Sequence, residues 1–496
     1  MSNETRRNIQ VTKDGQEFLS LLATFGVLAG DPVAAQIAKF LDTACCQFPK
    51  ATIHLLSHYD KNAHVLYANE YGGNYLKITE TGVERKRNGD DGILFDWGEG
   101  KCDPLEADLG IATVWGFLQG SSLDPDTFGG LIKKEILDVV RYSEEGVGRD
   151  NAHMLLMGSL LALYFPERLS WATPFVVFTG VTGSMKSALV RCVGRLLQGR
   201  RFDMTPAPDG NSIQTLKDIC ISYPFVGLDE ANRLKGLSDI LKVIATGGTD
   251  SRRVLYTTST MQEKPYQARL WMTMNTGDPH EESVSGRMLI IDAAARSDYK
   301  ATIYLRWSRE YRNEIWTELV MRLLGAMSAI AEAERSGEAN ITVNHRMSDF
   351  FVFLKTLSLA EYGYEERINQ AMLATASRQG TAVADAMELT DLLAKMSTDH
   401  NNKWKTAKEW GEILSDLADP SDRELRKKCR SKNSISYWFR GNERLLTERF
   451  GLRRDIDKHK HVTKFMFTKF TERPIWLKDV ASADHNDEDL PVLGSK

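Results

Sequence analysis

Cysteine is scarce and unpatterned: six residues in 496, with Cys45 and Cys46 adjacent and no C-x-x-C pair. That spacing argues against a structural zinc and for reduced thiols in a cytoplasm. Long apolar runs are also missing. The longest near the centre, HMLLMGSLLALYF, is shorter than a membrane span and contains His153, so no membrane association is expected. The opening MSNETRRNIQVTKDGQ lacks the apolar segment of a secretory signal. Excess charge of one sign is absent too. With 63 Lys+Arg against 67 Asp+Glu, nucleic-acid binding has to come from local patches and not from a global field. Internal repeats and low-complexity linkers are lacking.

What is present is a multidomain α/β pattern. Residues 1–145 mix helical spacing (QEFLSLLATF, AAQIAKFLDTACCQF) with HVLYANEYGGNYLKIT, which reads as two strands joined by a Gly-Gly turn. This predicts an N-terminal α+β domain. Over 146–300 short apolar strands alternate with helices, the pattern of a largely parallel sheet with helices on both faces. Residues 301–398 are helical by pattern. Residues 399–475 carry short helices, then LRRDIDKHKHVTKFMFTKF, two strand-like runs around a basic turn, which predicts a winged-helix module. Residues 476–496 turn acidic and aperiodic, and read as a disordered tail.

The chemistry lies in the middle. In TPFVVFTGVTGSMKSALVRCVG, an apolar strand enters a turn holding Gly180 and Gly183, then Lys186, Ser187 and an apolar helix. A phosphate loop has this order: backbone N–H groups at a helix N-terminus surround phosphate oxygens, a lysine adds charge and a hydroxyl binds Mg²⁺. Gly180, Val181, Thr182, Gly183, Ser184, Met185, Lys186, Ser187 and Ala188 are the candidate ATP-binding residues. Met185 stands where such loops usually place Gly; it fits if its φ is negative, whereas a positive φ would call for glycine. The plain alternative is a Gly-capped strand-to-helix turn with no ligand.

Three further features follow in order. ISYPFVGLDEAN ends an apolar strand in Asp229-Glu230, placed for a Mg²⁺ ligand beside Ser187 and for a water-activating base; it could equally open a helix with acids. RLWMTMNTGD ends in Asn275, an amide able to orient water or a mere turn residue. SVSGRMLIID sets Arg287 before another strand, as a finger toward a neighbouring subunit's γ-phosphate or a solvated surface arginine. The four together point to Mg-dependent ATP binding.

This order resembles AAA+ ATPases of the superfamily 3 and MCM-like helicase kind. The likeness is tightest over SDILKVIATGGTDSRRVLYTTS, ARLWMTMNTGD and SGRMLIID, which are similar to primase-helicase-type ATPases of phages, plasmids and mobile elements. HRMSDFFVFLKTLSLAEYGY resembles their helical segment after the ATPase core, and HVLYANEYGGNYLKITETGVE their N-terminal strand module. MCM-type loops carry Ala at the Met185 place, so a non-glycine has precedent. The resemblance implies a homo-hexameric ring that hydrolyses ATP between subunits and translocates on single-stranded DNA. In TGGTDSRRVLYTTSTMQEKPYQAR, Gly247-Gly248, Arg252-Arg253 and the strand-like VLYTT read as an inserted hairpin with Lys264 and Tyr266 on its returning side; the resemblance implies that it projects into the channel, where Arg252, Arg253 and Lys264 grip phosphates. The alternatives are that the paired arginines pair with nearby carboxylates, or that Arg252 or Arg253 faces the nucleotide.

Basic residues cluster again in NERLLTERFGL and KHKHVTK, as for duplex DNA contact by a helix and wing, or as a charged face packed on the ring. His459 and His461, at alternate positions with no cysteine nearby, do not read as metal ligands. The expectation is a cytoplasmic, ring-forming, DNA-dependent ATPase, a helicase or initiator-helicase of a mobile element. Its rivals are an ATP-switched DNA-binding or defence protein that never unwinds, and a relic in which Met185 has abolished turnover. No carboxylate constellation for a primase stands out.

Overall fold

The structure is a computed structural model. It describes residues 16–468 apart from internal stretches that include 46–51, 97–100, 117–121, 209–212, 232–236, 254–260, 276–281, 297–310, 338–342, 359–363, 386–391, 421–425, 441–445 and 458–461. The expected acidic tail, the stretch VLYTT read as strand-like, His459 and His461, and much of NERLLTERFGL therefore lie outside the described residues. The chain divides into two compact units, residues 1–379 and 380–496.

The first unit opens with helices Gln16–Ala23 and Pro32–Cys45. Strands β1 (Ile53–His54), β2 (Ser57–Asp60), β3 (Val65–Tyr71), β4 (Asn74–Thr79), β5 (Gly82–Arg87) and β6 (Leu94–Phe95) follow. β2 to β5 form an antiparallel meander, and β1 pairs with β6 in parallel. The Gly-Gly turn read from the sequence joins β3 to β4, with φ of 59° and 93° at Gly72 and Gly73, values that glycine reaches without steric cost.

Glu70 of β3 is fully buried. Its carboxylate accepts from Arg85 Nε (2.5 Å), Ala107 N (2.9 Å) and Trp316 Nε1 (2.9 Å), so a buried charge is paired on all sides. Trp316 sits on the long helix Arg312–Ser336, so this carboxylate ties the meander to that helix. One contiguous group of buried side chains runs from Leu56 to Ala371, across the boundary near residue 145.

The six-stranded central sheet comprises β7 (Arg141–Tyr142), β8 (Phe175–Thr179), β9 (Thr205–Pro206), β10 (Phe225–Asp229), β13 (Arg269–Thr273) and β14 (Met288–Ala294), in the order β7-β14-β8-β13-β10-β9. All pairs are parallel except β14 with β7. β8, β10 and β13 are buried almost end to end, which accounts for their unbroken apolar runs. β13 is inserted between β8 and β10, so the strand order reverses there. In open parallel sheets such a crevice, at the carboxyl ends of the strands, is where ligands bind. Between β10 and β13 the chain makes a hairpin of β11 (Thr249–Arg253) and β12 (Met261–Pro265).

The second unit has its own core, with Trp410, Leu414, Phe439, Phe450, Phe465 and Phe467 buried together. β15 (Lys405–Thr406), β16 (Arg453–Asp457) and β17 (Val462–Met466) form an antiparallel sheet in the order β15-β17-β16. Helix Ala407–Leu417 begins with a capping box between Thr406 and Glu409, and Trp410 Nε1 donates to Phe465 O at 2.9 Å. Arg453, Arg454 and Lys464 are exposed on the hairpin. Among the described residues, no helix is long and apolar enough to cross a membrane.

Candidate active site

The apolar strand β8 ends at Thr179, and residues 180–185 turn the chain into helix Lys186–Gln198. Gly180 has φ 134°, and a Cβ there would lie 2.1 Å from Ala293 O, so only glycine lets the loop pass β14. Gly183 has φ 85° with open space around it. Met185 is the N-cap and takes φ 67°, ψ 13°. The negative φ that would accommodate a non-glycine is thus not adopted. The sharp reversal into the helix places a left-handed residue here, at a cost of roughly 1–2 kcal/mol for a non-glycine. The Met185 side chain packs against the large core cluster, an apolar contact that offsets part of this cost.

Lys186 is mostly buried and folds back over the loop. Its Nζ donates to Gly180 O (2.5 Å), Val181 O (3.0 Å) and Ser184 Oγ (3.2 Å). Burial lowers its pKa below the ordinary 10.5, with Asp229 opposing the shift. An ammonium desolvated and held by neutral oxygens has most to gain from an anion. The first N–H groups of the helix have no intrahelical acceptor and add partial positive charge at this end.

Ser187 Oγ donates to Asp229 Oδ1 at 2.8 Å, and Thr273 Oγ1 donates to the same oxygen at 2.6 Å. Thr273 Oγ1 in turn accepts from the Glu230 amide (3.2 Å), and Thr273 O accepts from Ala231 N (2.8 Å). The end of β13 thereby fixes the end of β10. Glu230 itself has φ 52° and an exposed side chain. Arg191 spans two carboxylates, with Nε 2.8 Å from Asp203 Oδ1 and Nη2 3.8 Å from Asp229 Oδ2.

Thr182, Gly183, Ser184, Met185, Lys186, Ser187, Ala188, Arg191, Asp229, Glu230, Thr273 and Asn275 line one cleft of about 260 Å³. A hydroxyl and a carboxylate 2.8 Å apart form an oxygen donor set that fits Mg²⁺. The fold therefore gathers the loop, the acidic pair and Asn275 from three separated stretches of chain. It does not bring in Arg287. Met288 pairs with Phe175 and Asp292 with Thr179, so Arg287 lies at the far end of the sheet from the loop of its own chain.

Arg252 and Arg253 fall on β11 opposite Gln262 and Met261, and Lys264 on β12 opposite Asp250. Asp250 is buried and accepts from Lys217 Nζ at 3.1 Å, which anchors the hairpin's base to helix Ile213–Ser222. Tyr266 is buried and belongs to the packing.

Sequence reasoning missed three contributors. Arg191 is four residues after Ser187 and so shares its helix face, a readable signal. Thr273 closes β13 two residues before Asn275, a spacing that strand alternation puts on one side, also readable. Arg378 is a third: its guanidinium grips Asp292 at 2.5 and 2.7 Å, and Asp292 Oδ1 also accepts from Thr179 Oγ1 directly before the loop. Nothing local in the sequence marks that pairing across 86 residues.

Residues 152–363, which contain the whole cleft, match the family described as actinomycete integrative conjugative element replication protein. No curated protein matches the chain. Among solved structures, "SCCmec type IV Cch - active helicase" aligns at 12% identity and TM-score 0.38, over 77% of this chain and 70% of that one. The A form apo structure of the NrS-1 C-terminal region aligns at 14% identity and TM-score 0.30, over 68% and 75% of the two chains. A second structure of that region aligns at 10% identity and TM-score 0.31, over 79% and 94%.

Proposed function

We propose that the chain is a Mg²⁺-dependent ATP hydrolase acting on DNA, a helicase or initiator-helicase of a mobile genetic element. The reading is supported most by one observation: the loop hydroxyl of Ser187 is hydrogen-bonded to Asp229 at the mouth of a loop that carries a desolvated Lys186. The similarity of residues 152–363 to a mobile-element replication family points the same way.

In this reading the loop amides and Lys186 hold the phosphates, and Ser187 with Asp229 hold the metal. Glu230, exposed at the cleft, takes the proton of the attacking water, and Asn275 orients that water. Thr273 and Arg191 keep Asp229 in position. Bound Mg²⁺ would supply charge neutralisation between phosphate oxygens. Subunits assemble as a cytoplasmic hexamer, Arg287 completes the neighbour's site, and Arg252, Arg253 and Lys264 track single-stranded DNA. The proposed layout keeps the N-terminal module at 1–145, the ATPase core at 146–300, the helical region at 301–398 and a winged helix at 399–475 that touches duplex DNA.

ATP hydrolysis stimulated by single-stranded DNA, with strand displacement, is the expected result. Glu230→Gln should lower turnover by about 10²–10⁴ while nucleotide still binds. Failure of Mg–ATP to bind would end the proposal.

A second reading, an ATP-switched DNA-binding protein that never unwinds, is favoured by the way Lys186 is folded onto its own loop carbonyls. It predicts ATP-dependent assembly with no strand displacement in the same assays.

A further inference from the structure

Away from the cleft, the corner between β1 and β2 gathers His54, His58 and Glu167. One ligand atom from each lies within 4.8 Å of the others, and all three residues are half-buried. The two imidazoles stack with centroids 4.3 Å apart and an interplanar angle of 22°. His58 Nδ1 is 3.0 Å from Glu167 Oε1. No hydrogen bond is made by the His54 ring among the described residues, and its nitrogens are not sealed from solvent, so they stay open to an entering ligand.

The backbone around these residues is fixed. His54 O accepts from Asp96 N (2.8 Å), and Asn69 Nδ2 donates to Leu55 O (2.8 Å) and Asp96 O (2.9 Å). Leu55 N donates to Gln267 Oε1 (3.3 Å), and Glu167 Oε2 accepts from Tyr59 N (3.2 Å), which orients the carboxylate. Of the three side chains Glu167 thus has an outer hydrogen bond that orients it, the kind of support a metal ligand needs.

We propose that His54, His58 and Glu167 bind a divalent first-row transition ion, with Zn²⁺ the best match. Two imidazoles and one carboxylate suit Zn²⁺ and its neighbours, and not Mg²⁺ or Ca²⁺, which take all-oxygen shells. The set contains no cysteine, so the scattered thiols do not bear on it. Ligand atoms on one tetrahedral Zn²⁺ stand about 3.3 Å apart, so the side chains close inward by roughly 1.5 Å at most. Remaining positions fall to water. With three protein ligands instead of four, the ion binds more weakly than in a closed four-ligand centre. Glu167 lies in the turn after helix Arg149–Ala162, on the chain's way to β8. The ion would therefore staple the strand module to the approach of the phosphate loop.

The test uses the full chain, stripped with chelator and dialysed against Zn²⁺, Co²⁺ or Mg²⁺, with bound metal measured by mass spectrometry. One equivalent of Zn²⁺ or Co²⁺ and no Mg²⁺ at this site is expected, with Mg²⁺ counted in a Ser187→Ala, Asp229→Asn background. His54→Phe and Glu167→Gln should each weaken Zn²⁺ binding more than about tenfold, since losing outer-shell partners alone costs 10–100-fold. A His459→Ala, His461→Ala control should bind normally. Absence of bound Zn²⁺, equal binding by the variants, or loss in the control would overturn the proposal. If the variants fail to fold, the wild-type Co²⁺ spectrum decides: intense visible bands of a low-coordinate site support it, and the spectrum of the aqueous ion rejects it. None of these readings depends on nucleotide turnover.

Discussion

At the scale of single residues, Met185 is a strained point in the lining of the cleft. Its left-handed backbone costs roughly 1–2 kcal/mol, and its side chain recovers part of that by packing on the core. Met185→Gly removes the strain, but loses the packing and loosens the unfolded chain by about 0.4–1 kcal/mol. Its stability should therefore stay within about 1 kcal/mol of wild type. Met185→Ile adds a β-branched side chain at positive φ and should lose about 1–2 kcal/mol more. Denaturant melts of the three proteins check this, and an Ile variant as stable as wild type would refute the left-handed assignment. Lys186 gives a second prediction. If the protonated amine holds a phosphate as proposed, the pKa lowered by burial means that deprotonation begins below the ordinary 10.5. Nucleotide affinity should accordingly be constant at neutral pH and fall on the alkaline side earlier than for an exposed lysine. Lys186→Arg should remove that fall, because a guanidinium stays charged. A wild-type affinity unchanged up to pH 10.5 would contradict the burial argument.

At the scale of elements, what could be read from the sequence followed from periodicity and turn chemistry. β8, β10, β13 and β14 were legible because central parallel strands are continuous apolar runs closed by polar residues. The β3–β4 turn was legible because Gly72-Gly73 sits between two apolar runs. The hairpin of β11 and β12 was legible from Gly247-Gly248 and the residue types after them, although β-pairing register was not. What escaped is three-dimensional by nature. Met185's φ depends on the angle at which the loop enters its helix, which no residue type encodes. The insertion of β13 between β8 and β10 is a matter of topology, and it alone places Thr273 against Asp229. The same holds for Arg312, whose guanidinium donates to Arg195 O and Leu196 O at the C-terminal end of the loop helix, where cations are favoured. A helical pattern around Arg312 was visible; its partner 116 residues earlier was not. Arg378 escaped in the same way, and with it the link from helix Tyr364–Asp385 to the strand beside the loop.

At the scale of the whole molecule, the position of Arg287 carries the consequence. The parallel register of β14 with β8 puts it at the sheet end opposite its own phosphate loop. The five residues from Met288 to Asp292 separate that arginine from the strand end beside Thr179, about 16 Å at some 3.3 Å per residue. No side-chain rotation closes such a gap, so Arg287 serves catalysis only if it reaches another copy of the chain. A shared site has a kinetic signature. If each active centre takes its arginine from a neighbour, Arg287→Ala protein mixed with wild type spoils wild-type centres as well as its own. Activity should then fall below the line drawn by dilution alone, and a finger contribution of about 10³–10⁵ in rate makes each mixed interface effectively silent. The complementary mixture separates this from misfolding: Arg287→Ala supplies an intact cleft and Glu230→Gln an intact arginine. Mixing two inactive proteins should therefore restore part of the activity. A linear response in the first mixture together with no recovery in the second would make every chain an independent unit. The ring proposal would then fall, while the cleft proposed for nucleotide, lined wholly by one chain, would be untouched by that result.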